Sequence, residues 1–220
     1  MSTVIAVTDR AGFDTNTDNI VVVDAERREL VWMPRDLWCP AGGDRINTAY
    51  RQRGHDGLVE ALREHGVLVA HSLVVSRAAT EQALADVSVL VPVPALMAFD
   101  YPLTPTSRIE DGRKRITFKP PAEVLRGERI HQWVGARGSD LHRIERQKVL
   151  IRRLLELHFD FNRAMRDRDR VRLSHPNALD DVRGVDATWQ FTTFGPTVPV
   201  TIDGKQVLVS AAASTARVTR

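Results

Sequence analysis

Trp133-Val-Gly135-Ala-Arg137-Gly-Ser-Asp140-Leu-His-Arg143-Ile-Glu-Arg146-Gln147 sets three arginines, an aspartate and a glutamine at the mouth of a long helical pattern. Ser139 stands where an N-cap side chain can accept from free backbone N–H groups. At about 100° per residue, Ile144, Leu150, Ile151, Leu154, Leu155, Leu157, His158 and Phe161 fall on one arc. Glu145, Lys148, Arg152, Arg153, Glu156 and Asp160 fall opposite, and the pattern predicts a helix to about Arg163. Asp140, Arg143 and Gln147 share the apolar arc, so their side chains point inward from the first two turns. An inward guanidinium is costly without a partner. Two partners suit Arg143: Asp140, as an internal ion pair, or a phosphate, whose oxygens match the guanidinium fork and which the helix N-terminus also favours. On this stretch alone both stand open.

Working outward, Val31-Trp-Met-Pro34-Arg35-Asp36-Leu-Trp38 follows a hairpin-like pair of apolar runs, and Asp44-Arg45-Ile-Asn47-Thr-Ala-Tyr50 comes next. Nearer the N-terminus stand Asp9-Arg10 and Asp18, the latter just before Asn19-Ile-Val-Val-Val23. In this order the pieces resemble the LytR–CpsA–Psr family. Its catalytic domain carries an early Asp-Arg, an Asp before an apolar strand, a Pro-Arg-Asp and a Lys-Ile-Asn-Ala-Ala-Tyr stretch. It closes with a Tyr-Val-Arg-x-Arg…Asp…Arg…Arg-Gln box opening a helix. The resemblance covers roughly residues 3–157.

The resemblance implies an α/β fold, a three-layer α-β-α arrangement around a central mixed sheet. Residues 1–175 would form the catalytic domain and 176–220 a β-rich extension packed on it. It implies a magnesium-dependent enzyme acting on a polyprenyl-pyrophosphate-linked or other diphosphate-linked glycan, passing a phosphoglycosyl or phosphoryl group to a hydroxyl or to water. By the same resemblance Asp9 and Asp18 would hold the metal, and Arg35, Arg137 and Arg143 would meet the phosphates. Asp140 would act as base or orient Arg143. Arg10, Arg45, Arg146 and Gln147 would add substrate contacts. Such chemistry needs charge neutralisation more than covalent help, and magnesium needs one or two carboxylates beside phosphate oxygens. Asp36 reads as a structural hydrogen-bonding residue.

The chain also departs from the family. Gly135 replaces the first arginine of the Tyr-Val-Arg-x-Arg box, and Asn16 stands where an arginine often precedes the second aspartate. Each missing charge-assisted contact is worth about 1.5–3 kcal/mol. Ala85-Asp-Val-Ser-Val replaces the Gly-Gly-Val run beside the family's lipid tunnel. These departures favour a second reading, a non-catalytic module that holds a phosphorylated lipid or glycan. A third is an unrelated α/β protein with internal arginine ion pairs.

Composition sets outer limits. The chain has 220 residues, 43% hydrophobic and 27% charged, with 31 basic against 28 acidic side chains. A net charge of +3 is not the electrostatic footprint of a nucleic-acid partner. The basic residues are nearly all Arg, with four lysines, Lys114, Lys119, Lys148 and Lys205. Cys39 is the only cysteine, so neither an internal disulfide nor a cysteine zinc cluster can form; a packed thiol is expected. The seven histidines show no metal-ligand spacing. No Gly-rich phosphate loop or Gly-x-Ser-x-Gly elbow is present. The opening Met-Ser-Thr-Val-Ile-Ala-Val-Thr has no basic region before an apolar one, and no apolar run approaches 18 residues. The expected location is the cytoplasm, with at most peripheral membrane contact, whereas family members are usually anchored outside it.

The remaining pattern gives a strand over 3–8, a strand pair over Ile20–Asp24 and Glu29–Met33, and a helix within Ala49–His65, clearest from Asp56. A strand is expected over Val67–Val75, a helix over Arg77–Leu84 and a strand over Val87–Val93. Residues 107–118 read as a hairpin turning at Asp111-Gly112, Pro120–Gly127 as a helical turn, and 166–172 as a solvated helix end. Residues 182–210 read as β-rich, turning at Asp203-Gly204. Strands interleaved with helices argue for a layered α/β or α+β domain.

Overall fold

A computed structural model describes residues 2–104, 107, 109–136, 140–161, 165 and 168–211, except the side chains of residues 109, 140 and 168. In chain order come β1 (Ser2–Thr8), β2 (Thr17–Asp24), β3 (Glu29–Met33), β4 (Trp38–Cys39), β5 (Asp44–Arg45), α1 (Ile46–Glu64), β6 (His71–Val75) and α2 (Arg77–Leu84). Next are β7 (Ser88–Pro92), β8 (Met97–Pro102), β9 (Arg113–Phe118), β10 (Ala122–Arg126), α3 (Glu128–Gly135) and α4 (Asp140–Glu156). The chain closes with β11 (Val171–Leu173), α5 (Asp180–Arg183), β12 (Gln190–Thr193), β13 (Thr197–Ile202) and β14 (Lys205–Ser210). It divides into two compact units, one of residues 1–79 and 165–220, the other of 80–164.

The first unit is built on a six-stranded mixed sheet ordered β11-β6-β1-β2-β3-β12. β1 pairs antiparallel with β2 and parallel with β6, and β12 joins β3 in parallel. Alternation along the strands feeds two cores. Val4, Ala6, Ile20, Val22 and Val74 pack with Ile46, Ala49, Leu58 and Leu62 of α1. Ile5, Leu73 and Val75 pack with Leu179 and with Val182 of α5. Apolar residues thus cover both faces, which explains strands that are near-continuous Val/Ile/Leu runs.

α1 is broken at Arg53 and Gly54, where Gly54 takes φ 62 and ψ −148. A Cβ on Gly57 would lie 2.5 Å from the Ala49 carbonyl oxygen, so the two halves close together only over glycine. This break accounts for a sequence pattern that is clear only from Asp56 onward.

The second unit holds two antiparallel strand pairs, β7 with β10 and β8 with β9. Their inward side chains Val89, Val91, Ile116, Phe118 and Leu125 pack with Ile130 and Trp133 of α3 and Leu150 and Leu154 of α4. Phe118 meets Trp133 edge to face at 5.0 Å.

Four sequence expectations are corrected here. Residues 122–126 are strand β10, because pairing with β7 outweighs the helical preference of Ala, Glu and Leu. β9 pairs with the upstream strand β8 rather than with 107–110, and Ile109–Asp111 is a 3-10 turn in that long connection. α4 stops at Glu156: His158 takes φ 53 and its N–H donates to the Leu155 carbonyl at 2.9 Å, so Leu157, 58% exposed, and His158 leave the apolar arc. Val171–Leu173 is an edge strand on β6 rather than a helix end. The Asp203-Gly204 turn does join β13 to β14, both residues taking positive φ as such a hairpin requires.

Candidate functional site

In the first unit the β1–β2 ladder fixes the geometry. Thr8 is the register partner of Thr17, and the Asp9 N–H donates to the Asn16 carbonyl at 2.9 Å. Asp9 and Asp18 are therefore delivered to the same end of one ladder. The corner between them is tied tightly. Thr15 Oγ1 donates to Asp9 Oδ1. Thr8 Oγ1 donates to the Arg10 carbonyl at 2.6 Å and accepts from the Arg77 N–H at 3.0 Å. The Arg77 guanidinium adds a bond to the Asp9 carbonyl at 3.4 Å.

Beside this corner runs a row of alternating charges. Arg35 Nη1 contacts Asp18 Oδ1, and Arg35 Nε lies 3.9 Å from Asp36 Oδ1. Arg45 Nη1 lies 3.4 Å from the same Asp36 oxygen. The four side chains are partly exposed, each about a third or less. The row is formally neutral, so an incoming anion competes with carboxylates for the guanidinium forks. Arg45 also donates to the Gln206 carbonyl at 2.7 Å, and Lys205 pairs with Asp44 at 3.0 Å, which ties the β13–β14 hairpin to β5. Asp36 thus bridges two arginines as an ion-pair partner.

Asn47, in the first turn of α1, joins the row to the corner. Its N–H donates to the Arg35 carbonyl at 3.3 Å, and its carbonyl accepts from Thr17 Oγ1 at 3.3 Å. The buried side-chain oxygens of Asn16, Asn19 and Asn47 have no hydrogen-bond partner among the described residues. Buried acceptors of this kind call for a donor.

Magnesium fits this set as a shared ligand. The ion binds one or two carboxylates and fills its remaining positions with water and phosphate oxygens. Asp9 and Asp18 supply carboxylates at one ladder end, and the orphaned amide oxygens suit cation-bound water. Among the described residues no three His, Cys, Asp or Glu side chains are grouped to hold a metal by themselves.

In the second unit Arg143, Arg146 and Gln147 lie buried on α4, at 6%, 6% and 4% exposure. The inward facing expected of Arg143 and Gln147 is therefore present. Arg146 is held by specific bonds. Its Nε donates to the Trp133 carbonyl at 2.8 Å, Nη2 donates to the Ala136 carbonyl, and Trp133 Nε1 returns a bond to the Arg146 carbonyl at 3.0 Å. Its guanidinium lies 4.8 Å from the centre of the Phe99 ring. Burial, and then the Arg143 charge, lowers its pKa to about 10. Arg146 pins the end of α3 to α4. Arg137, Ser139 and the Asp140 side chain lie outside the described residues. Among the described residues a Cβ on Gly135 would meet Tyr101 Cε2 alone, at 3.8 Å, so none of them requires glycine there.

Cys39 is buried, and burial followed by the Glu64 charge pushes its thiol up to about 12, which suits a packed thiol rather than a nucleophile. No helix among the described residues is long and apolar enough to cross a membrane. Nothing in the sequence singles out Arg77 or Thr15, and the motif over residues 45–50 that contains Asn47 does not show its bonds: these roles rest on partners far along the chain or on a turn whose closure has no motif.

No family model and no curated protein matches the chain by sequence. Among solved structures it is similar to Bacillus subtilis TagV, at 18% identity and TM-score 0.64 over 99% of this chain and 93% of that one. It is also similar to B. subtilis TagT, at 16% identity and TM-score 0.63 over 99% and 87%. TagT bound to LI-WTA gives TM-score 0.65 at 16% identity over 99% and 87%. An Enterococcus faecalis protein described as a transcriptional regulator gives TM-score 0.66 at 15% identity over 97% and 82%. With its six-stranded mixed sheet and its helices, the chain has the LytR–CpsA–Psr-type α/β fold of these structures.

Proposed function

We propose that this protein is a magnesium-dependent phosphotransferase or pyrophosphatase acting on a diphosphate-linked glycan, with a polyprenyl pyrophosphate as the donor's carrier. The observation that carries the reading is the meeting of Asp9 and Asp18 at one ladder end with Arg35 in contact with Asp18. Phosphoryl transfer is governed by charge placement, and this is a compact arrangement of carboxylates, guanidinium and orphaned acceptors. The fold shared with TagT, which is known bound to LI-WTA, supports a glycopolymer-type substrate.

In this reading Asp9 and Asp18 hold the cation, which when bound neutralises phosphate charge. Arg35 exchanges its carboxylate partner for a phosphate oxygen, and Arg10 and Arg45 add positive charge beside it. For the second unit, the motif resemblance assigns roles at the phosphates to Arg137, Asp140, Arg143 and Gln147, of which Arg143 and Gln147 are buried on α4. Arg146, expected from its motif to touch substrate, donates to the Trp133 and Ala136 carbonyls, and we assign it to holding α3 and α4 in register. The bond that breaks is the pyrophosphate P–O bond, with prenyl phosphate leaving and the glycosyl-bearing phosphorus passing to a hydroxyl or to water.

The test is release of prenyl phosphate from a short-chain prenyl-pyrophosphate-linked sugar, with and without magnesium. The wild type should release it only with the cation, and Asp18→Asn should lower the rate at least about a hundredfold, the scale of losing one preorganised charge partner. A second reading, a binding module without turnover, is favoured by Gly135 and by the neutral Asp18–Arg35–Asp36–Arg45 row. Retained binding of the same compound with no release under either condition would select it.

A further inference from the structure

Asn47 belongs to a stretch that resembles a family motif, yet the reading above leaves its side chain without a role. Its backbone is fully used, by the Arg35 carbonyl and the Thr17 hydroxyl. The residue is only 8% exposed, and its Oδ1 is buried with no hydrogen-bond partner among the described residues. Leaving a buried amide acceptor unmade is unfavourable. The orphan also has a location. Asn47 is wired to residue 35, whose guanidinium contacts Asp18, and to residue 17, which precedes Asp18. A second orphaned amide oxygen, on Asn16, stands at the Asp9 corner, where the Asn16 carbonyl takes the Asp9 N–H. With Asn19, beside Asp18, three unmet amide acceptors belong to residues adjacent to or bonded to the segments that carry the two carboxylates.

Resting on the diphosphate reading of this site, we propose that Asn47 is a ligand-binding residue whose amide oxygen accepts a hydrogen bond from an O–H of the bound assembly. That O–H belongs to a cation-bound water or to a ligand hydroxyl. The same residue then stabilises the complex while leaving the empty protein with an unmet acceptor.

The two sources are separated by two probes in calorimetric titration: magnesium pyrophosphate, which has no sugar hydroxyl, and glucose 1-phosphate without magnesium. Asn47→Ala and the near-isosteric Asn47→Asp are compared with the wild type, and melting temperature is read for each. The proposal expects Asn47→Ala to weaken binding about tenfold, the loss of one hydrogen bond, with a melting temperature equal to or above wild type. A loss confined to magnesium pyrophosphate assigns cation-bound water, and a loss confined to glucose 1-phosphate assigns the hydroxyl. Asn47→Asp keeps an acceptor, so it should retain magnesium pyrophosphate binding better than Asn47→Ala if water is the donor. Unchanged affinity for both probes with a lowered melting temperature would make Asn47 purely structural and overturn the proposal. Failure of the wild type to bind either probe would remove the diphosphate reading itself, a result distinct from loss of the Asn47 effect alone.

Discussion

Replacing Arg146 with methionine separates a structural arginine from a ligand-binding one. The side chain is 6% exposed and donates to the carbonyls of Trp133 and Ala136. Methionine keeps most of the apolar stem and removes both donors. Two charge-assisted bonds contribute about 3–6 kcal/mol together, and the two carbonyls left behind lose their donors. Removing a buried charge returns part of this, because desolvating the guanidinium was itself unfavourable. A net loss of about 3 kcal/mol is expected, which lowers the melting temperature by about 6–12 °C for a chain of this size. Calorimetry measures it directly, and titration with magnesium pyrophosphate below the transition should show affinity within about threefold of wild type, under 1 kcal/mol. A melting temperature within about 2 °C of wild type, less than 1 kcal/mol on this scale, together with lost binding, would refute the assignment and return Arg146 to the substrate.

Arg35→Lys should weaken magnesium pyrophosphate binding by about tenfold, because a point charge cannot reproduce the guanidinium fork; titration checks this, and unchanged affinity would remove Arg35 from the site. Gly135→Arg has room at its Cβ and restores a charge that the family pattern carries, so affinity should rise at least about tenfold with little change in melting temperature; a fall in affinity would count against the resemblance at that position. Burial lowers the pKa of His55 and His65, the neighbouring acids only partly opposing it. Below the ordinary histidine value of about 6.5 the unfolded chain therefore binds more protons than the fold, and stability should fall as the pH drops from 7 toward 5; a flat melting temperature across that range would refute the burial. Cys39, with its thiol raised to about 12, should react with a thiol reagent at pH 8 only as fast as the protein unfolds; rapid labelling of the native protein would show an accessible thiolate.

Legibility in the sequence followed the range of the forces involved. β1, β2 and β3 could be read because each is a short, near-continuous apolar run bounded by polar residues. The inward facing of Arg143 and Gln147 could be read because helical phase alone decides it. β10 could not, since Ala-Glu-Val-Leu-Arg becomes a strand only by pairing with β7, some 30 residues upstream. The end of α4 was also hidden: apolar Leu157, Phe159 and Phe161 continue the helical arithmetic, and only the positive φ of His158 stops it. At the site, Asp9, Asp18 and Arg35 were named from short motifs, and a strand register and an ion pair bring them together. Arg146 had the same look as Arg143, and its bonds to Trp133 and Ala136 set it apart. Asn47 stands in the motif over residues 45–50, but its unmet acceptor could not be read there, because an unmet hydrogen bond is a property of the folded surroundings.

The most direct test of the account is a crystal structure of the protein with magnesium and pyrophosphate. The account predicts a cation bound by the carboxylates of Asp9 and Asp18, and a phosphate within hydrogen-bonding distance of the Arg35 guanidinium. Pyrophosphate bound elsewhere, with the Arg35–Asp18 contact intact and no cation on either aspartate, would contradict it.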